Sequence, residues 1–165
     1  MIGSGSTTLE MVREMRPNPR LQVVTNSLPA AMHLSAGNIA SVEILGGSVR
    51  PESLSTESDE LLEKYYWDAV FMGVAALDLQ RGITALDRRE ARFGSVIIQN
   101  SRKLIVLCDS SKINKFSYVQ VGPANLIHVL ITDRGVAPET VEEFRGLGTE
   151  VVVAGPPETE PRSGE

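Results

Sequence analysis

Small and hydroxylated residues open the chain and could bind an anion. They are Gly3-Ser4-Gly5-Ser6-Thr7-Thr8. The run leads directly into a helical pattern, and a helix start carries unpaired backbone N–H groups and a partial positive charge. Glycines let a ligand reach those groups, and hydroxyls add donors, so the pattern is typical of a phosphate site. An ordinary strand-to-helix turn is the alternative.

Thr7 and Glu10 are spaced as a capping box, which predicts that the helix begins at about Thr7.

Three further polar clusters directly follow segments that have the pattern of a strand. They are Thr25-Asn26-Ser27, Gly46-Gly47 and Asp109-Ser110-Ser111-Lys112. Because the loops after parallel strands lie at the same edge of a sheet, all four clusters can converge on one crevice. Backbone amides and the Lys112 ammonium suit a phosphate, while Asn and carboxylate groups suit sugar hydroxyls.

The elements that must position these clusters alternate along the chain. Strands are predicted at residues 21–25, 41–45, 69–73, 104–108, 126–131 and 150–154. Helices are predicted from about residue 7 to the prolines at 17 and 19, and at 28–34, 57–65, 87–100 and 138–147. Residues 48–55 are expected to form a loop, and 77–84 a loop or a short edge strand. Several strands are apolar on both faces, so the pattern predicts an α/β fold with a mostly parallel, Rossmann-like sheet flanked by helices.

Composition narrows the function classes. The 165 residues are 42% hydrophobic and 22% charged. The net charge of -5 argues against this chain binding a nucleic-acid backbone by itself. A lone cysteine, Cys108, excludes an internal disulfide and fits a reducing compartment. There is no apolar run long enough for a membrane span and no signal peptide, so we expect a cytoplasmic protein without membrane contact. His33 and His128 lack metal-ligand spacing, and we expect neither metal nor cofactor.

The motifs together resemble the C-terminal sensor domain of DeoR-type transcriptional repressors, in order and spacing, up to about residue 154. The motifs are the opening Gly/Ser/Thr run, Thr25-Asn26-Ser27, Leu45-Gly46-Gly47, Arg50-Pro51-Glu52-Ser53-Leu54-Ser55 and Asp109-Ser110-Ser111-Lys112. The resemblance implies a fold similar to ribose-5-phosphate isomerase, glucosamine-6-phosphate deaminase and CoA transferases. It also implies a non-catalytic domain that binds a phosphorylated sugar or related metabolite, forms a homo-oligomer, and reaches DNA only through an N-terminal helix-turn-helix domain.

The domain organisation follows from this resemblance. We expect one sensor domain over residues 1–154, with the DNA-binding domain absent and the first strand truncated, because only Met1 and Ile2 precede the glycine run. Residues 155–165 are rich in Pro, Glu and Ser and are expected to form a disordered tail.

The resemblance also implies a set of site residues. The ligand- and phosphate-binding positions are Ser4, Gly5, Ser6, Thr7, Thr8, Thr25, Asn26, Ser27, Gly46, Gly47, Glu90 and Lys112. Two departures from the family pattern make the expected pocket less polar. Ala75 and Ala76 replace the last two places of Gly-x-Asp-Gly, and Gly94 stands where a lysine is frequent.

Two rival functions remain open at this point. An isomerase or deaminase would need a general base and a group that polarises a carbonyl, which Glu90 and Lys112 could supply. Loss of the acid at Ala75 argues against this enzyme. A degenerate scaffold that binds nothing is the other rival. Two residues also have interpretations that involve no site. Glu90 would then be a solvated helix residue, and Cys108 a small buried hydrophobic residue.

Overall fold

Helices and strands alternate through residues 1–57 and 62–155, which the computed structural model describes. The helices are α1 (Ser6–Arg13), α2 (Leu28–Ala36), α3 (Arg88–Gln99) and α4 (Pro138–Gly146). Single 3-10 turns lie at Leu62–Lys64, Ser110–Lys112 and Ala124–Leu126. The strands are β1 (Gln22–Thr25), β2 (Ser41–Ile44), β3 (Ser48–Arg50), β4 (Ser55–Glu57), β5 (Val70–Gly73), β6 (Ala76–Asp78), β7 (Gly82–Ala85), β8 (Leu104–Leu107), β9 (Val119–Gly122), β10 (Val129–Asp133) and β11 (Glu150–Ala154).

A parallel sheet organises the domain, as the sequence predicted. Strands β1 and β2 pair in parallel, and β5, β8, β10 and β11 form a second parallel set. Ile2 joins the two sets, because it forms parallel bridges to both Thr25 and Phe71. Its N–H donates to the Val24 carbonyl at 2.9 Å. The resulting order is β2-β1-Ile2-β5-β8-β10-β11, which is the doubly wound order of Rossmann-like folds.

Helices cover both faces of this sheet. Val12 of α1 and Leu34 of α2 pack with Ile2 and Val23 in one cluster. In a second cluster, which includes Leu104 and Val106 of β8, α4 with Phe144 packs against β11, and α3 packs against β9 and β7. The sequence of β8 is apolar throughout because its two faces pack into different clusters. Leu104 and Val106 belong to one cluster, and Ile105 and Leu107 belong to another. All four are buried, so both faces of β8 are in the core.

The structure has two antiparallel additions, of which only the 77–84 segment had been given a short edge strand as one of two alternatives. Strands β3 and β4 form a hairpin where a loop was expected at 48–55. Strands β6, β7 and β9 form a three-stranded antiparallel sheet over part of the 77–84 segment and beyond. These strands have only three or four residues, which is too short to show a clear period of two. The helix expected at 57–65 lies partly outside the described residues, and Leu62–Lys64 form a 3-10 turn instead.

The start of α1 also differs from the prediction. The helix begins at Ser6, Gly5 is its N-cap, and no side chain caps it. The expected capping box is absent, since Glu10 forms an ion pair with Arg13 at 2.5 Å. The Thr8 hydroxyl donates to the Gly5 carbonyl at 2.9 Å and stabilises the turn. Gly5 has a φ of 144°, a conformation that residues with a side chain rarely adopt.

No helix in the described part of the chain combines the length and the apolar character needed to cross a membrane.

Candidate functional site

A cavity of about 650 Å³ opens at the carboxyl edge of the parallel sheet. It lies where the chain order reverses, because β1 and β2 extend from one side of Ile2 and the other parallel strands from the opposite side. Open α/β sheets bind ligands at this crevice, and the volume is in the range of about 300–1,000 Å³ for small-molecule sites. Its lining consists of Gly3, Ser4, Asn26, Ser48, Arg50, Glu52, Ser53, Ser55, Met72, Gly73, Leu86, Arg89, Glu90, Phe93, Gly94 and Ile97.

Uncharged polar side chains form one side of the cavity, which we call the hydroxyl wall: Ser4, Asn26, Ser48, Ser53 and Ser55. Asn26 is buried and joins the two parts of this wall. Its Oδ1 accepts from the Ser4 backbone N–H at 2.9 Å, and its Nδ2 donates to the Thr56 carbonyl at 3.4 Å. Asn26 therefore fixes the glycine loop after Ile2 against the β3–β4 hairpin.

Four charged side chains also line the cavity: Arg50, Glu52, Arg89 and Glu90. Arg50 forms an ion pair with Asp87 at 3.0 Å. Asp87 is the N-cap of α3 and accepts from the backbone N–H groups of Arg89 and Glu90, each at 2.9 Å. The Glu90 backbone N–H, followed by the Arg50 guanidinium, lowers the pKa of Asp87. These contacts connect the hairpin to the start of α3 across the cavity.

Glu90 has a structural partner as well as a place in the cavity. Its Oε2 accepts from the Leu86 backbone N–H at 3.1 Å, close to the N-terminus of α3. The side chain is half-buried and faces the same space as Arg50 and Arg89. It is thus held in place by the chain and is not simply a solvated helix residue.

Four apolar side chains also line the cavity, and we call them the apolar wall: Met72, Leu86, Phe93 and Ile97. Gly94 lies among them on α3 and lets this helix approach β9 closely. A Cβ at Gly94 would lie 2.6 Å from Cγ1 of Val121. The Ser95 hydroxyl donates to the Val121 carbonyl at 2.6 Å and fixes the same contact. A lysine at this position would therefore require Val121 to move.

Three of the twelve site residues expected from the sequence line the cavity: Ser4, Asn26 and Glu90. Gly5, Ser6, Thr7 and Thr8 follow Ser4 and form the N-cap and first turn of α1, with Thr8 buried. Gly46 and Gly47 are exposed and directly precede Ser48 of the hairpin.

Thr25 and Ser27 have their hydroxyls engaged within the chain. The Thr25 hydroxyl donates to the Ile2 carbonyl at 2.7 Å and accepts from the Ser27 backbone N–H at 3.0 Å. The Ser27 hydroxyl accepts from the Ala30 backbone N–H at 3.3 Å and caps α2. Both residues are buried and stabilise the turn that holds Asn26 at the cavity.

The cluster after β8 is separate from the cavity lining. We call it the β8 loop and define it as Asp109, Ser110, Ser111 and Lys112. Asp133 organises it: its carboxylate accepts from the Ser110 N–H and hydroxyl, both at 2.7 Å, and from the Gly135 N–H at 2.8 Å. Lys112 Nζ lies 3.4 Å from Asp109 Oδ2. The polar groups of this loop are largely directed at one another.

The hydrogen bonds around the β8 loop agree with structural roles for the carboxylates of Asp109 and Asp133. The Ser110 N–H and hydroxyl lower the pKa of Asp133, and the Ser111 hydroxyl is the main cause that lowers the pKa of Asp109. Below the loop, burial raises the pKa of the Cys108 thiol to about 12, with the Asp109 charge as a second cause. Cys108 is therefore protonated at neutral pH.

The sequence reasoning missed several lining residues. Arg50, Glu52, Ser53 and Ser55 belonged to one of the motifs behind the resemblance, but their segment was expected to be a loop without a site role. Arg89 is next to Glu90 at the start of a predicted helix, and an arginine in that position is a reasonable candidate for binding phosphate. The apolar wall had no sequence signal. Ala75 and Ala76, the expected departures, are not among the lining residues, whereas Gly94 is.

No group of three or more His, Cys, Asp or Glu side chains is arranged to hold a metal within residues 1–57 and 62–155.

The fold and the cavity define a class of protein: an α/β domain built on a doubly wound sheet, with an open cavity at the switch point. The family model of the DeoR C terminal sensor domain matches residues 1–134, and the chain belongs to this family. The family is that of a regulator's sensor domain and not of an enzyme, as the sequence predicted.

Curated relatives agree with this assignment. The chain is 31% identical to a putative aga operon transcriptional repressor of Escherichia coli O157:H7, over 94% of this chain and 59% of the relative. It is 28% identical to the HTH-type transcriptional regulator GlpR of Haloferax volcanii, over 90% and 59%. It is 29% identical to the HTH-type transcriptional regulator UlaR of Shigella dysenteriae, over 92% and 61%. The chain thus spans about three fifths of the length of these relatives.

Proposed function

We propose that the cavity binds a phosphorylated sugar or a related metabolite, and that this binding modulates operator recognition by a helix-turn-helix domain outside this chain. The observation that supports the proposal most is the cavity itself, where Ser4, Asn26 and Glu90 meet Arg50 and Arg89 at the switch point. Guanidinium groups bind phosphate through paired, charge-assisted hydrogen bonds. Serine hydroxyls, the Asn26 amide and the Glu90 carboxylate match the hydroxyls of a sugar.

The start of α1 adds to the anion-binding capacity near Ser4. Its first N–H groups have no partner within the helix, and the helix dipole favours negative charge there. Under this proposal a phosphate lies between this helix start and the guanidinium groups. The expected contacts from Gly5 to Thr8 and at Gly46 and Gly47 belong to the proposal, because these residues adjoin lining residues of the cavity. Lys112 does not line the cavity, and a variant described below tests whether it contacts the ligand.

The link to DNA binding follows from the relatives and from where the cavity contacts lie. The relatives are named as transcriptional regulators, two of the three as HTH-type. A ligand that contacts both the hairpin and α3 would favour the arrangement in which these elements are close. In a homo-oligomer this preference could be transmitted to operator affinity as a coupling free energy.

Calorimetric titration of this domain with a panel of sugar phosphates tests the proposal. We expect at least one panel compound to bind, and Arg50→Gln to weaken that binding about tenfold or more, because a charge-assisted hydrogen bond is lost. Arg102→Gln is the matched control: Arg102 also pairs with a carboxylate, Asp68 at 3.5 Å, but is exposed and is not a lining residue.

Two outcomes would contradict the proposal. One is that no compound of the panel binds to the folded protein. The other is that Arg102→Gln weakens binding as much as Arg50→Gln does, which would place the phosphate elsewhere. Folding of each variant is checked by its thermal unfolding midpoint, since Arg50 also forms the ion pair with Asp87.

A further inference from the structure

The two edge strands of the parallel sheet differ in their charge. In the part of the chain that the structure describes, β2 pairs only with β1, and β11 pairs only with β10. Strand β2 contains the exposed Glu43, whose carboxylate accepts from the Tyr65 hydroxyl. A charged side chain within an edge strand opposes pairing with a further strand. The only charged residue of β11 is Glu150, at its first position, so the centre of this edge carries no charge.

Apolar side chains are exposed on β11. Val152 and Val153 point to opposite faces of the strand, since successive side chains alternate, and they are 40% and 42% exposed. Their neighbour Val151 is packed in the core and fixes the strand on β10. An apolar edge strand without a central charge or a proline is a template for pairing with another strand.

The backbone groups of β11 alternate between β10 and the outer edge. The Glu150 N–H donates to the His128 carbonyl at 2.9 Å, on the side of β10. Because the peptide groups of alternate residues point to opposite sides of a strand, Val152 also faces β10, whereas Val151 and Val153 direct their N–H and C=O groups outward. A strand added at this edge must therefore form its hydrogen bonds with Val151 and Val153.

We propose that a second copy of this chain pairs with β11 in the antiparallel direction, about a two-fold axis at Val152, so that the two parallel sheets become continuous. In this register Val151 of each copy lies opposite the partner's Val153, and each such pair exchanges two backbone hydrogen bonds. The two Val152 residues form the non-hydrogen-bonded pair at the axis, where side chains are closest. This inference goes beyond the proposed function and does not depend on it.

The charges at the two ends of β11 favour a second copy as the occupant. Glu150 begins the strand, and the Arg134 side chain lies over Gly155, just after its end: a Cβ on Gly155 would be 2.5 Å from Nε of Arg134. Glu150 and Arg134 are both exposed. Antiparallel pairing brings the end of one strand to the start of the other, so Arg134 of each copy approaches the partner's Glu150. In-register parallel pairing would instead place the two Glu150 carboxylates together, which is unfavourable.

Disulfide capture in the full chain tests the pairing. Val152→Cys places two thiols at the axis, where Cα atoms about 4.5 Å apart suit a disulfide. We expect mild oxidation to convert this variant to a covalent dimer. Cys108 does not interfere, because it is 1% exposed and burial raises the pKa of its thiol to about 12. Met32→Cys is the matched control, since Met32 is 73% exposed on α2, which packs on β1 and β2 at the other end of the sheet.

A mixture of two variants tests the register. Glu150→Cys and Ala154→Cys lie opposite each other in the proposed pairing, and both positions face β10 as Val152 does. Mixed and oxidised, they should form mainly the mixed disulfide, whereas each variant alone should form little.

A charge change tests the complementarity of the two ends. Glu150→Lys opposes Arg134 twice across the axis and should weaken the dimer about tenfold, as measured by analytical ultracentrifugation. The double variant Glu150→Lys/Arg134→Glu restores opposite charges and should recover most of this loss.

Two results would overturn the inference. One is that Val152→Cys is captured no more than Met32→Cys. The edge is then covered by residues 156–165 or by a different protein, or the copies associate through another surface. The other is that Glu150→Cys and Ala154→Cys give no excess of the mixed disulfide, which would exclude the proposed register. Neither result bears on the sugar-phosphate titrations, so the proposed function stands or falls separately.

Discussion

Two polar clusters at the same edge of the sheet differ in what their side chains do. Around Ser4 and Asn26, polar groups line an open cavity. In the β8 loop, Asp133 accepts three hydrogen bonds from Ser110 and Gly135, and Lys112 pairs with Asp109. Both clusters follow strands and contain hydroxyls and charges. The comparison shows that two clusters at the carboxyl edge can differ in how many of their polar groups are already paired, and we expect the cluster with fewer internal partners to bind the ligand.

The two clusters also differ in their distance from the switch point. Ser4 and Asn26 follow Ile2 and β1, which are neighbours in the sheet, and Gly73 follows β5 on the other side of Ile2. The β8 loop lies one strand further away. The crevice of a doubly wound sheet forms where the connections leave in opposite directions. Both neighbours of β8 in the sheet, β5 and β10, lie on the same side of Ile2, so the β8 loop is not at this reversal.

The largest effect is expected for Asn26→Ala, which removes the link between the glycine loop and the hairpin. The Thr56 carbonyl would lose its partner in a buried place and the Ser4 N–H in a partly buried one, so the free energy of unfolding should fall by about 2–4 kcal/mol. Urea denaturation measures this change. Ligand affinity should fall in parallel, since Ser4 and the hairpin both line the cavity. Ser111→Ala, a hydroxyl change in the β8 loop, is the control. A change of less than about 0.5 kcal/mol for Asn26→Ala would show that this link is dispensable.

Asp133→Ala should have a smaller effect on stability and none on ligand binding. Three donors lose a partly exposed carboxylate, and water replaces some of these contacts, so the expected loss is about 1–2 kcal/mol. The same urea experiment measures it, beside a calorimetric Kd for the ligand. A large loss of ligand affinity in a folded Asp133→Ala variant would mean that the β8 loop belongs to the site.

The contribution of Asp133 should also depend on pH. Its pKa in the folded protein is lowered below the ordinary value of 3.8. The stabilisation is therefore fully present above that value and is lost as the pH falls through the lowered folded-state pKa. The difference in unfolding free energy between wild type and Asp133→Ala should be constant from pH 7 to 5 and narrow below about pH 4. A difference that grows on acidification would contradict this sign.

The smallest effect is expected for Lys112→Ala. Its ion pair with Asp109 is partly exposed, with 39% of each side chain accessible, so stability should change by less than about 0.5 kcal/mol. Lys112 was expected from the family resemblance to complete the ligand pocket, and it does not line the cavity. Unchanged ligand affinity in this variant would confine the site to the cavity. A tenfold weaker Kd would return Lys112 to the site.

The sequence was sufficient for the parallel sheet because its inner strands β5, β8 and β10 are mostly buried and strongly apolar. Leu104 to Leu107 is buried on both faces, and such a run has few other uses in a soluble domain. The β3–β4 hairpin escaped prediction because Ser48–Arg50 and Ser55–Glu57 are short and polar, and their position depends on contacts with Asn26 and Asp87. Contacts between residues so far apart in the sequence leave no recognisable pattern in the sequence of the hairpin itself.

The cavity lining could be predicted only in part, and three of the twelve expected site residues belong to it. Glycines, hydroxyls and Asn26 at strand ends can be recognised from the sequence, whereas most other lining residues come from the hairpin and from α3. Met72, Phe93 and Ile97 have the ordinary pattern of core residues, and only the folded chain shows that one side of each meets a cavity. The hydrogen bonds between the β8 loop and Asp133 depend on tertiary structure, so the sequence could not show that this loop is separate from the cavity lining.

Hydrogen–deuterium exchange with and without the tightest-binding sugar phosphate tests the central claim most directly. If the cavity is the effector site, ligand should slow exchange in residues 3–9, 48–55 and 88–97, and leave residues 109–112 and 133–135 unchanged. Slower exchange confined to 109–112 and 133–135 would contradict the account and place the effector on the β8 loop.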